Sequence, residues 1–443
     1  MLDTMTVTSA TSLHQRRASL YRYYVLAILA IVGIFSWMDR QLFSILLESI
    51  KHDLKLTDTQ LGLLGGIAFG LFYAAVGLPV ARLADRLNRR NLVVAALALW
   101  SCMTALCGLS TGFGSLFLAR MGVGIGEAGS SPASQSMVSD YFPARMRALA
   151  MGLLYTYVPI GYVLAYATGG FINDTIGWRA AFLLFGIPGL LVAAWTLITV
   201  REPQRGQSEL AAPTAPDPTS LLTTLRTFIG TPSLRHIPVA GALHGLGAFG
   251  AAVWVPAYFM RAHSMSSFQI GSRLALLMGT VGLAGAVLGG LFCDRLIART
   301  RDPRWYMWVP GASLLLSVPF LLLTFTTTRP DLALLFYAVP LLCNHIVLGP
   351  LLASMQALAG IERRATVAGF YLFFVNLISM GLGPFVVGLC SDVFHARFGD
   401  SALRYSLMTL TAVTCAWASL HLLLASRSIA ADLQRSRAPA VAC

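Results

Sequence analysis

Apolar positions in this chain come in long unbroken blocks instead of the alternating or three-and-four spacing of a soluble fold. Such a block of about 20 residues is long enough to cross a hydrocarbon layer of about 30 Å as a helix. Twelve are predicted, the first six near Tyr21–Leu47, Gln60–Leu83, Asn91–Leu109, Ser115–Val138, Arg147–Ile172 and Trp178–Val200. The second six fall near Leu234–Met260, Phe268–Cys293, Trp305–Phe325, Leu332–Leu358, Ala365–Cys390 and Leu403–Leu424. Between the sixth and seventh lies a stretch with Pro203, Pro213, Pro216 and Pro218 among Ala, Gln and Thr, too polar and too broken to bury a core. Apolar residues return at helical spacing over Ser220–Ile229, which predicts an amphipathic helix on the inner membrane surface. The expected organisation is a polar tail at 1–20, a six-helix bundle at 21–200, a linker with its surface helix at 201–233, a second bundle at 234–424, and a tail at 425–443. The predicted fold class is therefore an all-α membrane protein with twelve transmembrane helices in two six-helix bundles.

Composition supports this reading and narrows it. Hydrophobic residues make up 56% of the chain and charged ones 12%, about half the charged share of a soluble domain. The net charge of +13 would suit nucleic acid, but most of the arginines sit in loops that fall on one side of the predicted spans. Arg82, Arg86, Arg89 and Arg90 form one cluster, Arg295, Arg299, Arg301 and Arg304 a second, and Arg363 and Arg364 a third. Positive loops mark the cytoplasmic side, so a multi-pass protein of the cell membrane with both termini cytoplasmic is expected, in the inner membrane for a bacterial source. No stacking aromatics accompany the arginines, and no nucleic-acid partner is expected. The seven cysteines are single, without metal-ligand spacing, so neither metal nor cofactor is expected. Gly124-x-Gly126-x-x-Gly129 matches a dinucleotide fingerprint by letter, yet no strand precedes it, and close helix packing explains the glycines better. With no nucleophile-and-base pattern in view, the chain does not read as an enzyme.

One corner occurs twice. After the second span stands Ala81-Arg-Leu-Ala-Asp85-Arg86-Leu-Asn88-Arg89-Arg90, and after the eighth Gly290-Leu-Phe-Cys-Asp294-Arg295-Leu-Ile-Ala-Arg299. Matching corners in matching positions indicate a duplicated six-helix unit, an arrangement that places a transporter's site at the repeat interface. The corner resembles the Gly-x-x-x-Asp-Arg-x-Gly-Arg-Arg signature of the major facilitator superfamily, with Ala81 and Asn88 where glycine is usual. The resemblance implies the major facilitator fold, alternating access and a gating role for Asp85, Arg86, Arg89, Arg90, Asp294 and Arg295. It gives to Asp85 and Arg89 the capping of a helix of the opposite side of the bundle and a charge network that holds one gate conformation. Met38-Asp39-Arg40, Arg120 with Gly122-Val-Gly124-Ile-Gly126-Glu127-Ala128, and Pro159-Ile-Gly161 resemble the spinster branch more closely. That branch carries lysophospholipids or phosphorylated sphingoid bases in animals, and proton coupling has been proposed for it.

Charges within the spans supply the candidate site. An ionised side chain at the centre of a membrane helix costs about 2.5 to 3.5 kcal/mol on insertion scales, so it persists where it faces a cavity or a partner. Asp39, Arg40, Arg120, Glu127 and Arg273 fall well inside the predicted spans. Arg120 and Glu127 lie two helical turns apart on one face of the fourth span, with about 10 Å of rise between them. Counting rise from the span ends puts Asp39 and Arg120 at similar depth, so that a pair is geometrically open to them, while Arg40 points about 100° away and needs another partner. Desolvation and neighbouring guanidiniums act oppositely on a buried carboxylate, which makes Asp39 and Glu127 the candidate proton-coupling residues. Arginine forks two donors toward phosphate or carboxylate, which suits Arg40 or Arg120 to an anionic headgroup. Ser134, Tyr155, Asn344, His345, Tyr371 and Asn376 complete the candidate cavity lining. The expected activity is secondary active transport, by a monomer in the lipid bilayer, of a small amphiphilic or anionic molecule coupled to protons. The leading substrate class is lipid-like; a small organic anion or drug-like solute is the alternative.

Overall fold

A computed structural model describes residues 2–84, 86–207, 228–359, 367 and 370–437, with side chains from Leu20 onward except at 78, 81, 82 and 437. Among the described residues there are helices and turns but no strand. Helix α1 is Leu2–Leu54, and α2 comes in two pieces, Asp58–Gly65 and Ile67–Ala84. Next are α3, Arg89–Gly108; α4, Phe113–Glu127 and Ser130–Tyr141; α5, Ala144–Tyr155 and Tyr157–Thr175; and α6, Trp178–Thr199. The second half holds α7, Pro232–His263; α8, Ser267–Leu277 and Leu283–Thr300 around a π-helical turn at Met278–Gly282; and α9, Trp305–Thr326. It continues with α10, Pro330–Leu358; α11, 370–376 and Gly383–Phe398 around a π-helical turn at Leu377–Leu382; and α12, Ala402–Ser426. A short α13, Ile429–Arg437, follows. The all-α expectation holds, with twelve rods in place of the twelve apolar blocks.

Two segments differ in detail from the sequence reading. Helix α1 starts at Leu2, because neither Gly nor Pro interrupts the polar segment ahead of the first apolar block. The C-terminal segment also folds: Ile429 and Leu433 of α13 bury against the second half. Asp432 there accepts from the Ser233 backbone N–H at 2.9 Å and its hydroxyl at 2.6 Å, satisfying the otherwise uncapped start of α7. The amphipathic helix predicted over Ser220–Ile229 lies, but for its last two residues, outside the described residues.

Packing repeats between the halves. Helix α1 packs on α5, α2 on α4, and α3 on α4 and α6; correspondingly α7 packs on α11, α8 on α10, and α9 on α10 and α12. Across the interface α1 meets α7, while α2 meets α11 and α5 meets α8, which are exchanged by the same pseudo-twofold relation. Leucines and isoleucines cover the outside, with Ile198 82%, Leu191 67% and Leu276 67% exposed. An exterior this apolar suits lipid, and a helical backbone satisfies its own polar groups there.

The end bearing the arginine-rich loops at 85–88 and 301–304 is here termed inner, and the end at 55–57 and 264–266 outer. At the outer end the halves are tied by reciprocal helix caps. Asp392 of α11 accepts from the backbone N–H groups of Asp58 (3.2 Å) and Thr59 (2.7 Å) at the start of α2. Asp174 of α5 does the same for Ser267 (3.2 Å) and Phe268 (2.8 Å) at the start of α8. Each carboxylate meets the positive end of a helix from the other half. Beside the first cap, Arg261 of α7 donates to Glu48 at 2.7 Å and to both Asp58 oxygens at 2.7 and 2.9 Å, with Lys51 at 2.6 Å from Asp58. Glycines allow the backbones to touch: a Cβ on Gly62 would sit 2.6 Å from the Pro384 carbonyl oxygen, and one on Gly66 would overlap that of Gly381. Arg261→Gln removes the only cation that spans the two halves in this network. It is expected to add a longer component to the distance between spin labels at Leu109→Cys and Thr327→Cys, measured by double electron–electron resonance. An unchanged distribution would mean that the network does not hold the outer end shut.

Candidate functional site

Four of the predicted charges converge inside the first half. Helix α4 can approach its neighbours closely because Gly124 lies against the Phe69 carbonyl of α2, 2.5 Å from where a Cβ would be, and Gly126 against the Trp100 backbone of α3, at 2.8 Å. The fingerprint-like glycines are thus a packing seam. That seam delivers Glu127, the last residue of the first α4 piece, to the middle of the bundle, where α4 breaks before Ser130.

Arg40 meets it there. Its Nε donates to Glu127 Oε2 at 2.7 Å, and the Ser36 hydroxyl, one turn earlier on α1, donates to the same oxygen at 2.7 Å. The guanidinium lies within an aromatic cage, 4.6 Å from the Tyr73 ring centroid and 5.2 Å from those of Trp37 and Phe69. Such rings attract a cation through their quadrupole, more strongly once water is removed. Side-chain exposure is 14% for Arg40 and 0% for Glu127, so the arginine alone of the pair reaches open space.

Asp39 and Arg120 share the region without closing an ion pair. Asp39 Oδ2 accepts from the Thr104 hydroxyl at 3.0 Å, whereas the Arg120 guanidinium lies over Phe43 at 5.0 Å and Phe69 at 5.2 Å. Both residues are buried, and among the described residues Asp39 Oδ1, Arg120 Nε and Glu127 Oε1 have no hydrogen-bond partner. Polar atoms buried without partners are rare, and each marks capacity for a water, a proton or a substrate atom.

The remaining predicted residues are dispersed. Ser134 is buried in the second piece of α4, while Tyr155 is 45% exposed at the α5 break and touches Tyr157, whose ring in turn meets Trp37. Asn344 lines a cavity in the second half, next to His345, whose Nδ1 pairs with the Leu341 carbonyl at 2.9 Å. Tyr371 is buried in the core of the second half against Gly241, and Asn376 immediately precedes the π-turn of α11. Arg273 stands apart from the others. It pairs with Asp331 at 2.6 Å on an exposed surface, because its place near the outer end of α8 lets the long side chain reach out of the bundle.

Of the corner residues, Asp85 lies outside the described residues, and Arg86, Asp294 and Arg295 are exposed. Arg89 is buried and holds the inner end of the first half together. It donates to Asp140 at 2.5 Å, Ser136 at 2.9 Å, Glu202 at 2.8 Å and the Pro203 carbonyl at 3.0 Å. The Arg90 backbone N–H adds a bond to Glu202 at 2.8 Å.

Residues 29–384 match the model of the Major Facilitator Superfamily. The chain belongs to the major facilitator superfamily. This facilitator is 35% identical over 386 residues to an MFS-type efflux pump of Mycolicibacterium smegmatis, covering 87% of this chain and 88% of that one. It is 27% identical to the sphingosine-1-phosphate transporter SPNS2 of Danio rerio, covering 86% and 79% of the two chains. Among solved structures, a bacterial homolog of the human lysosomal transporter spinster, inward-facing and unoccupied, aligns with TM-score 0.84 at 29% identity, over 93% of this chain and 98% of that one. The resemblance to the spinster branch read from the sequence is borne out. The facilitator is a membrane transporter rather than an enzyme.

Ser36, Thr104, Trp37, Phe69 and Tyr73 escaped the sequence reading. Ser36 and Trp37 left a signal, since they precede Arg40 by about one helical turn and share its side of α1. Removing one partner of a buried ion pair leaves an uncompensated charge and costs about 3 to 5 kcal/mol, whereas replacing both by apolar groups is far cheaper. Arg40→Met is therefore expected to lower the thermal unfolding midpoint in detergent more than Arg40→Met with Glu127→Leu. A double variant as unstable as the sum of its parts would show that the two side chains are not coupled.

Proposed function

We propose that this facilitator is a proton-coupled carrier of lipid-like amphiphiles with an anionic headgroup, of the lysophospholipid or phosphorylated sphingoid type. The observation that carries the reading is the Arg40–Glu127 pair, in which the arginine is partly exposed and the carboxylate is not. An anionic headgroup arriving from the cavity competes with Glu127 for the Arg40 guanidinium, which can fork two donors toward a phosphate. A displaced Glu127, left in apolar surroundings, is neutralised by taking up a proton. Asp39, behind it with one oxygen unpaired, is the second proton site. Arg120, seated over Phe43 and Phe69, is the cation that remains to balance whichever carboxylate is ionised.

The conformational half of the cycle rests on the two ends of the bundle. A closed outer end suits the inward-facing arrangement of the spinster homolog. Arg89, with Asp85, Arg86 and Arg90, is proposed to form the inner gate of the first half, and Asp294 and Arg295 its counterpart in the second. The inner end is assigned to the cytoplasm on the strength of its arginine loops, with both termini there and the carrier working as a monomer. The efflux-pump relative favours the second reading, a small organic anion or drug-like solute, which the same arginine would bind.

Transport into proteoliposomes of a lysophospholipid and of a fluorescent organic anion, with and without a pH gradient, tests both. The lysophospholipid is expected to be carried and to respond to the gradient. Asp39→Asn and Glu127→Gln are expected to lose that response while keeping exchange of substrate across the membrane. Arg40→Gln is expected to raise the half-saturating concentration about tenfold, the loss of one charge-assisted hydrogen bond. Full pH-driven transport in both carboxylate variants would overturn the proton assignment. Carriage of the organic anion alone would select the second reading.

A further inference from the structure

A cavity lies in the other half. Helices α7, α9, α10 and α12 line a half-open space of about 50 Å3, among others with His244, Ser317, Tyr337, Asn344, Thr411 and Cys415. It shares no residue with the charged quartet, and no Asp, Glu, Lys or Arg lines it. Its polar groups fall into two sets. Ser317 and Thr411 spend their hydroxyl protons on their own helices, on the Leu314 carbonyl at 2.6 Å and the Leu407 carbonyl at 2.7 Å. His244 Nδ1 is buried without a partner among the described residues, and Tyr337 and Asn344 line the same space. Three polar side chains from α7 and α10 therefore converge on one space.

We infer that this cavity is a subsite for an uncharged polyol group carried by the substrate beyond its anion. The inference rests on the lipid reading above and extends it. An ionised group would find no countercharge there. Hydroxyls suit it, because each both donates and accepts, and together His244, Tyr337 and Asn344 offer both donors and acceptors. The apolar part of the lining, with Leu314, Leu321 and Pro340, packs against the C–H faces of a polyol. The subsite is connected to the charged site through rings. Arg40 lies 5.2 Å from the Trp37 centroid, Trp37 lies 5.7 Å from Tyr162 and Tyr162 5.8 Å from Tyr166, whose hydroxyl donates to the Ala252 carbonyl at 3.3 Å, one residue from Ala251 in the cavity lining. An anion on Arg40 and a neutral headgroup alcohol in the second half would bring both halves onto one substrate molecule. His345 is excluded from the set, since its Nδ1 is spent on Leu341 and its other edge packs on Gly282.

Binding of two lysolipids of identical chain and identical single negative charge tests this: lysophosphatidylglycerol, which carries the extra diol, and lysophosphatidylmethanol, which lacks it. The purified full-length protein is expected to bind the first about tenfold more tightly, the scale of one to two net hydrogen bonds. Tyr337→Phe and Asn344→Leu should each shrink the difference to about twofold or less while leaving lysophosphatidylmethanol affinity unchanged, which also shows that the variants are folded. Equal affinities in the wild type, or a preference that survives both substitutions, would overturn the inference and leave the lipid reading standing. Binding of neither lipid would reject the lipid reading itself, and the inference with it.

Discussion

A charge placed in an apolar bundle must find its counterion within the bundle, and the first half is arranged around that requirement. Glu127 is fully buried, and Arg40 is the group that neutralises it. Bringing them within 2.7 Å requires α4 to lie almost backbone to backbone on α2 and α3, which the glycines at 124 and 126 permit. It also requires the cation to be screened from lipid, and the Trp37, Phe69 and Tyr73 rings do this without adding charge. The same packing that meets the electrostatic need leaves α4 broken just beyond Glu127. A broken helix beside a buried carboxylate is where a small change of charge has most purchase on backbone position.

The outer end uses the same physics in another form. There the counterions of Asp392 and Asp174 are the partial positive charges at the starts of α2 and α8, and the caps run in opposite senses between the halves. Separating the halves would expose four carboxylate-bonded N–H groups together. Both caps belong to one interface, so opening that end breaks them together. The glycine contacts make the closed state steep as well, because backbone atoms already touch and any added atom has nowhere to go.

Much of this was legible in the sequence, for identifiable reasons. Block length alone revealed the helices, because a bilayer admits little else. Burial cost alone pointed to Asp39, Arg40, Arg120 and Glu127. Their pairing was not legible, since it depends on how far each helix is rotated. Depth made Asp39 a possible partner for Arg120, while rotation gave Arg40 to Glu127 and Asp39 to Thr104. Arg273 failed for the opposite reason: a long side chain near a helix end can leave the bundle, which position along the chain does not reveal. Glu48, Asp58 and Arg261 stand at helix ends, and only the approach of the two halves turns them into an interface.

The incompleteness of the charged quartet bears on what it is for. A buried ion-pair network kept only for packing gains little over apolar side chains of the same volume. Where such a network is purely structural, its remaining lone pairs and protons are satisfied, since each one left over carries a desolvation cost. Here Asp39 Oδ1, Glu127 Oε1 and Arg120 Nε are all left over, within one small volume and beside one formed pair. The set therefore holds more hydrogen-bonding capacity than its present partners use. Under the proposed function, that spare capacity is where an arriving anion or proton would bind.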